Sequence, residues 1–446
     1  MPLIDEHITW YQSRFESFEQ SLNGGRTSEV HAIRRDAMNR FTALGFPTTR
    51  QEEWRFTNIS PIRKNDFQPI LHYDRHGVSR KDIAPYMLDE AIHVVFINGI
   101  YSPEFSDTSP LPAGVIIGSL GDRLNNPSET IQPIFQDLNM GEENAFTLLN
   151  SAFLMDGGFI SIPRGVVVDQ PIQLLFVATD HGQRYTAQPK NRIMVGSGSQ
   201  CKLIEMYIGL GRNTYMTNSV TELTLGDHSM VEHDKIQQEG IQAFHVGTTR
   251  VQMTSASRYT SNVISLGGSI VRNNLTVRFD AEGGECVLNG LSLARGTQVV
   301  DNHTVIDHAK PHNTSHELYK SILDGMARGI FNGKVFVRKN AQKTDAKQTN
   351  KTLLLSDDAT MNTKPQLEIF ADDVKCTHGA TIGQLDDDQI FYLRSRGMSL
   401  DQARDILTSA FARDVIDRIT IEPLCRQAER MILDRLTRDH LTSNLP

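Results

Sequence analysis

Apolar positions near the start of the chain recur at steps of three and four. Ile8, Tyr11, Phe15, Phe18 and Leu22 fall on one face of a helix. Asn23-Gly24-Gly25 ends it, and Thr27 or Ser28 is positioned to cap a second helix carrying Val30, Ile33, Ala37 and Phe41. Gly45 closes that helix, with Pro47 two residues beyond. The stretch Pro-Thr-Thr-Arg-Gln-Glu-Glu-Trp-Arg-Phe-Thr from Pro47 has no period. It reads as an ordered loop whose Trp54 anchors one domain on another. Val94 to Ile97, then Asn98-Gly99, then Ile100-Tyr101 predict a hairpin on a two-residue turn. Loop-rich sequence from about 106 to 142 leads into a short helix at about 143–155.

From Phe159 the period changes to two. Ile160 and Ile162, then Ile172, Leu174 and Phe176, predict strands, and no helix signal returns until about residue 385. Four segments share a small or polar turn followed by an alternating strand. They align at Cys201, Val231, Tyr259 and Cys286, which are 30, 28 and 27 residues apart. A period near 28 without helices predicts a β-helix, each coil giving two or three short strands. An antiparallel β-sandwich is the alternative. A stack of coils exposes strand edges at its ends, so helical segments or another chain must cover them. Beyond the strands, Ser399 with Gln402 forms a capping-box pattern ahead of an apolar stripe of Ala403, Leu407, Ala410 and Phe411. Pro423 suits the first turn of a last helix bearing Leu424, Ala428, Met431, Ile432 and Leu436. The expected fold is mainly β. A helical domain (1–90) and a connecting hairpin and loop region (91–158) precede a β-helix core (159–396), and a C-terminal α-helical domain (397–446) follows.

Composition narrows the function. The 446 residues exceed one ordinary compact domain. A net charge of −8 argues against nucleic acid as partner, because phosphate binding needs a basic surface. The four cysteines lie far apart without a C-x-x-C, which fits reduced thiols in a cytoplasmic protein. The N-terminus lacks the charged and apolar regions of a signal peptide, and no apolar run nears the roughly 20 residues of a membrane span. No P-loop is present. Gly329-Ile-Phe-Asn-Gly-Lys comes nearest, but its glycine spacing is wrong and no Ser or Thr follows the lysine.

The candidate chemistry concentrates at Cys376 and His378. In a strand, positions i and i+2 share a face, so a thiol and an imidazole would point the same way as a soft ligand pair for iron or zinc. A buried thiol and a satisfied histidine remain the bland alternative. Of His303, His308, His312 and His316, the last three would share a helix face, but Pro311 argues for loop and strand, with hydrogen bonding in turns and between coils as their role. Asp386 to Asp388 read as a charged turn before a helix N-terminus rather than a calcium corner. Cys201, Cys286 and Cys425 read as core.

Several stretches resemble the SUF iron–sulfur cluster assembly scaffold family, whose members are SufB and SufD. They are Phe331-Asn-Gly-Lys-Val, the run from Ala341 to Leu355, Thr363 to Thr381 containing Asp-Asp-Val-Lys-Cys-Thr-His-Gly, Phe391-Tyr-Leu-Arg-Ser-Arg-Gly, and the segment from Pro47. Asn350 stands where SufB has a cysteine, and Gly379 where SufB has a glutamate, so the resemblance is to the SufD branch. It implies a right-handed parallel β-helix between helical domains and a heterodimer with SufB. It also implies one SufC ATPase on each protomer, docked through the C-terminal helices. His378 and Cys376 match the family's Cys-x-His motif. They are implied to face SufB where a nascent cluster forms transiently, with no cofactor in the isolated chain.

The expected function is therefore a non-enzymatic scaffold for cluster assembly. Two alternatives stay open: a β-helix polysaccharide lyase or hydrolase using Asp372, Asp373 and Asp386 to Asp388, and a structural partner without metal. Whether the isolated chain is a homodimer is not readable from the sequence.

Overall fold

The computed structural model describes residues 6–22, 28–126 and 144–442. Strands of eight to ten residues alternate between two sheets, and each pairs in parallel with the strand two positions away in the chain. Sheet A runs back from Thr360–Ile369 through Arg328–Val337, Val299–His308, Ile270–Phe279, Phe244–Met253 and Met216–Leu225. Sheet B runs back from Lys375–Gly383 through Asp345–Leu354, Thr314–Leu323, Glu285–Ala294, Arg258–Ser265, Met230–Gln238 and Gln200–Gly209. This is a β-solenoid of about eight turns. The parallel registers exclude the antiparallel sandwich, and each coil gives two strands.

The positions aligned in the sequence are register partners in the structure: Cys201 pairs with Val231, Val231 with Tyr259, and Tyr259 with Cys286. The same column continues through Ser315 and Ala346 to Cys376. Inward side chains of both sheets, among them Leu203, Leu223, Val251, Val277 and Leu288, fill the space between them. The interior also holds ionisable groups tied to one another. His233 bridges the Glu205 carboxylate at 3.0 Å and the Tyr259 hydroxyl at 2.9 Å, and Glu239 meets His245 at 2.7 Å. Burial on this scale is tolerated because each charge finds a partner.

Helices cover both outer faces. Glu6–Ser21, Glu29–Leu44 and Ala145–Ala152 pack Phe15, Phe41 and Phe146 over Met216, Phe244 and Ile270 of sheet A. Ser28 caps the second helix by accepting from the His31 N–H, and Gly45 ends it at φ 70°. The expected stop at 23–25, and Thr27 as alternative cap, lie outside the described residues. Leu400–Ile416 and Glu422–Thr442 cover Ile204, Ile236, Ile264 and Leu291 of sheet B. Each such fully buried side chain contributes about 1.5–3 kcal/mol. The stripe expected on Leu400–Ile416 is rotated. Ala403, Thr408, Ala412, Val415 and Ile416 are buried, whereas Ala410 is exposed and Leu407 and Phe411 are half-buried. The cause lies in the sheet: Lys320 reaches out to Asp414 at 2.6 Å and sits 3.9 Å from the Phe411 ring centroid, so Phe411 lies at the edge of the contact.

The hairpin forms as expected, Ile92–Ile97 against Ile100–Tyr101, with Asn98 and Gly99 at φ 51° and 87°. Within the segment expected to be loop, Ile116–Ser119 is a strand and Leu120–Leu124 a short helix. That strand is too short, beside its Pro and Gly residues, to register as a period. Residues 127–143 lie outside the described residues.

Candidate functional site

The strand Lys375–Gly383 closes sheet B, and Thr360–Ile369 closes sheet A in the same coil. Among the described residues neither has a neighbour on its outer side. The two ends of the solenoid therefore differ. At the start, the short strands Ile116–Ser119 and Ile100–Tyr101 pair antiparallel with the first coil. At the finish, two long parallel edges are open. Inward side chains of the preceding strand, Ala346, Gln348, Asn350 and Thr352, are all buried, whereas the final strand is exposed along nearly its whole length.

Cys376 and His378 sit side by side on the inward face of this final strand. Cys376 lies over Ala346 and packs against the small apolar cluster of Val335, Val337, Ala341 and Ala371, which half-buries it. Burial pushes its thiol pKa up, so the protonated form is favoured in the isolated chain. His378 lies over Gln348 and is exposed. Its ring makes no hydrogen bond to any described residue. The chain thus presents a thiol and a free imidazole on an uncovered rung.

Two residues beneath this pair went unnoticed in the sequence. Gln348 donates from its amide nitrogen to the Glu317 carboxyl one coil below, at 2.7 Å. Burial pushes the Glu317 carboxyl pKa up to about 7. The signal was available: extending the repeat by 29, 31 and 30 residues from Leu288 reaches Glu317, Gln348 and His378, but these residues share no chemistry that marks them.

The segment from Pro47 lies beside this coil. Glu52–Trp54 forms a single turn, and Trp54 is buried as expected of an anchor. It stacks on Phe146, and the Arg272 guanidinium lies 3.7 Å from its ring centroid. Arg272 is held by Asp301 at 2.8 Å, and His303 meets Asp301 at 2.9 Å and Glu53 at 3.2 Å. Glu52 pairs with Lys364 of the final coil. A cleft of about 650 Å3 separates residues 49–56 from that strand.

The other candidates are dispersed. His303 and His308 are on one strand, with His308 bonded to Ser315 at 2.9 Å; His312 is in a turn and His316 on the next strand. Asp386 caps the helix Asp387–Ser395 by accepting from the Asp388 and Gln389 N–H groups. Asp373 pairs with Lys343. Cys201 and Cys286 are buried, but Cys425 is only half-buried, packed against the cluster between the C-terminal helices and sheet B. No described group of three or more His, Cys, Asp or Glu side chains is arranged to hold a metal ion. No described helix is long and apolar enough to cross a membrane.

Comparison with known proteins assigns this architecture. Residues 176–411 match the family model described as SUF system FeS cluster assembly, SufBD core domain, and residues 5–174 match the SufBD protein N-terminal region. An iron–sulfur cluster assembly SufBD family protein of Synechocystis is 34% identical over 420 residues, 91% of each chain. The iron–sulfur cluster assembly protein SufD of Escherichia coli is 29% identical over 394 residues, covering 88% of this chain and 90% of the relative. The chain belongs to the SufBD family of iron–sulfur cluster assembly proteins.

Proposed function

We propose that this chain is the SufD-type subunit of a cluster-assembly scaffold, and that Cys376 and His378 are its contribution to a site shared with a SufB subunit. The observation that carries this reading is a soft ligand pair standing on the last rung of a solenoid, which has no strand neighbour on its outer side among the described residues. Thiolate and imidazole both bind iron well. Two donors do not complete a cluster's ligand set, so the remainder comes from the facing subunit. The cluster is cargo, not a resident cofactor. Iron displaces the proton that burial favours on Cys376. A cluster held across an interface is freed when the interface opens, and an ATPase of the SufC kind, docked on the C-terminal helices, supplies the movement. The chain itself is non-enzymatic and works in the cytoplasm.

The test is anaerobic reconstitution with iron and sulfide on the co-purified complex. His378→Ala is expected to abolish cluster formation, read by visible absorbance and iron content, while the complex still assembles. Normal cluster yield from that variant would refute the assignment. A homodimer of the isolated chain through the same rung is compatible with this reading if SufB displaces it.

A further inference from the structure

Neutral imidazole carries one N–H and one lone pair, and only the nitrogen with the lone pair can bind a metal. Something must decide which nitrogen that is. For metal-ligating histidines the usual device is an acceptor that holds the other ring N–H. His378 has no such acceptor at its own level, since its strand is the last. One rung below, in register, is Gln348, which is 2% exposed.

The Gln348 amide is already oriented. Its nitrogen donates to Glu317, and its carbonyl oxygen Oε1 is buried without a hydrogen-bond partner. The facing position on sheet A is Gly333, where a Cβ would overlap the Gln348 amide nitrogen and lie 2.9 Å from Cδ. The glycine keeps room for this amide inside the solenoid. Hydrogen bonds between register partners recur along the stack: Asn262 donates to Asp234 at 2.6 Å and Asn289 to Asn262 at 2.9 Å. Rungs are about 4.8 Å apart, the reach of such side-chain pairs.

Resting on the cluster-site reading above, we infer that Gln348 is a positioning residue for His378. Its Oε1 accepts the ring N–H, fixes the tautomer and turns the other nitrogen outward to the cargo iron. Glu317 and Gly333 hold the amide in that orientation.

The experiment uses the full chain labelled with 15N-histidine, at a pH well above the imidazole value of about 6.5. His378→Ala assigns the signal. In the wild type, His378 is expected to favour one tautomer by roughly fivefold beyond an exposed histidine, the bias one net hydrogen bond supplies. Gln348→Met, similar in volume but without the acceptor, removes the bias, and Gly333→Ala reduces it by displacing the amide. Glu317→Gln, which keeps an acceptor oxygen for the Gln348 amide nitrogen, retains it. In the complex, Gln348→Met is expected to lower iron retention about tenfold. An unchanged His378 signal in Gln348→Met overturns the inference, as does equal loss in Glu317→Gln. If His378→Ala still builds clusters, the site reading fails. If His378→Ala is inactive while Gln348→Met is normal in both measurements, only the role of Gln348 fails.

Discussion

Asp234 shows what burial does to a single residue in this stack. Its carboxyl is sealed under the C-terminal helices, and burial, aided by the charge of Glu232, pushes its pKa up to about 8. The unfolded chain gives that proton up near pH 3.9. Between these values the folded state holds a proton that the unfolded state lacks. The stabilisation is complete below the unfolded value and declines as pH rises to about 8, by about 1.4 kcal/mol per pH unit. Asp234→Asn keeps the oxygen that accepts from Asn262 and removes the ionisation. Its stability gain over the wild type should therefore widen between pH 5 and pH 8, read from urea midpoints; a constant gap would contradict the assignment. Such residues are hard to read in a sequence. Asp234 lies in the polar run Glu232 to Lys235 and Gln348 in the polar run Lys347 to Thr352, and only the register reveals what each faces. Cys376 and His378 were legible because thiol and imidazole are rare side chains, and their i, i+2 spacing fixes a shared face in any strand.

At the scale of elements, the readable features were those written locally. Caps, the two-residue hairpin turn and the apolar stripe of the last helix follow from adjacent residues, and so did the repeat, since its column of small and apolar positions recurs once per coil. The rotated face of Leu400–Ile416 was not local. It is set by Lys320, which is remote in sequence and buried at the contact. The turn Glu52–Trp54 is a further case: nothing in the segment announces Arg272 and Asp301 as its seat. Its role makes a prediction. Trp54→Ala removes the surface on which Arg272 lies and opens a cavity against Phe146, a loss of about 3–5 kcal/mol for a buried Trp. The turn should then leave the sheet. Trypsin is expected to cut at Arg50 and Arg55 in the native variant well before it cuts the wild type, while the solenoid strands stay protected. Equal cleavage rates would show that the ion pairs of Glu52 and Glu53 hold the turn without the ring.

Across the whole molecule, the helices shield both faces and the antiparallel strands shield the first coil, which leaves the final coil as the open part of the core. Around it stand exposed apolar side chains: Phe370 at 57%, Ile382 at 45%, and Phe391 and Tyr392 of the helix Asp387–Ser395 at 74% and 58%. A soluble monomer rarely leaves strand edges and aromatic rings exposed together. The two groups are expected to serve different partners. Replacing Phe391 and Tyr392 by serine should cost SufC co-purification and leave SufB pairing intact, because these rings lie on the helix Asp387–Ser395, which leads into the C-terminal helices, and not on the strand edges. The edges themselves give a separate readout. In a parallel edge strand, alternate N–H groups point away from the sheet, so about half the amides of Thr360–Ile369 and Lys375–Gly383 are unpaired. In the isolated chain these should exchange with deuterium far faster than those of Gln200–Gly209, which has a neighbour on both sides. On the proposed reading, a SufB subunit bound across the rung of Cys376 and His378 would pair or bury them, and their exchange should slow while that of Gln200–Gly209 is unchanged. Protection confined to the helix Asp387–Ser395 would mean that the partner sits beside the final coil rather than over it, and the shared site would lose its geometric basis.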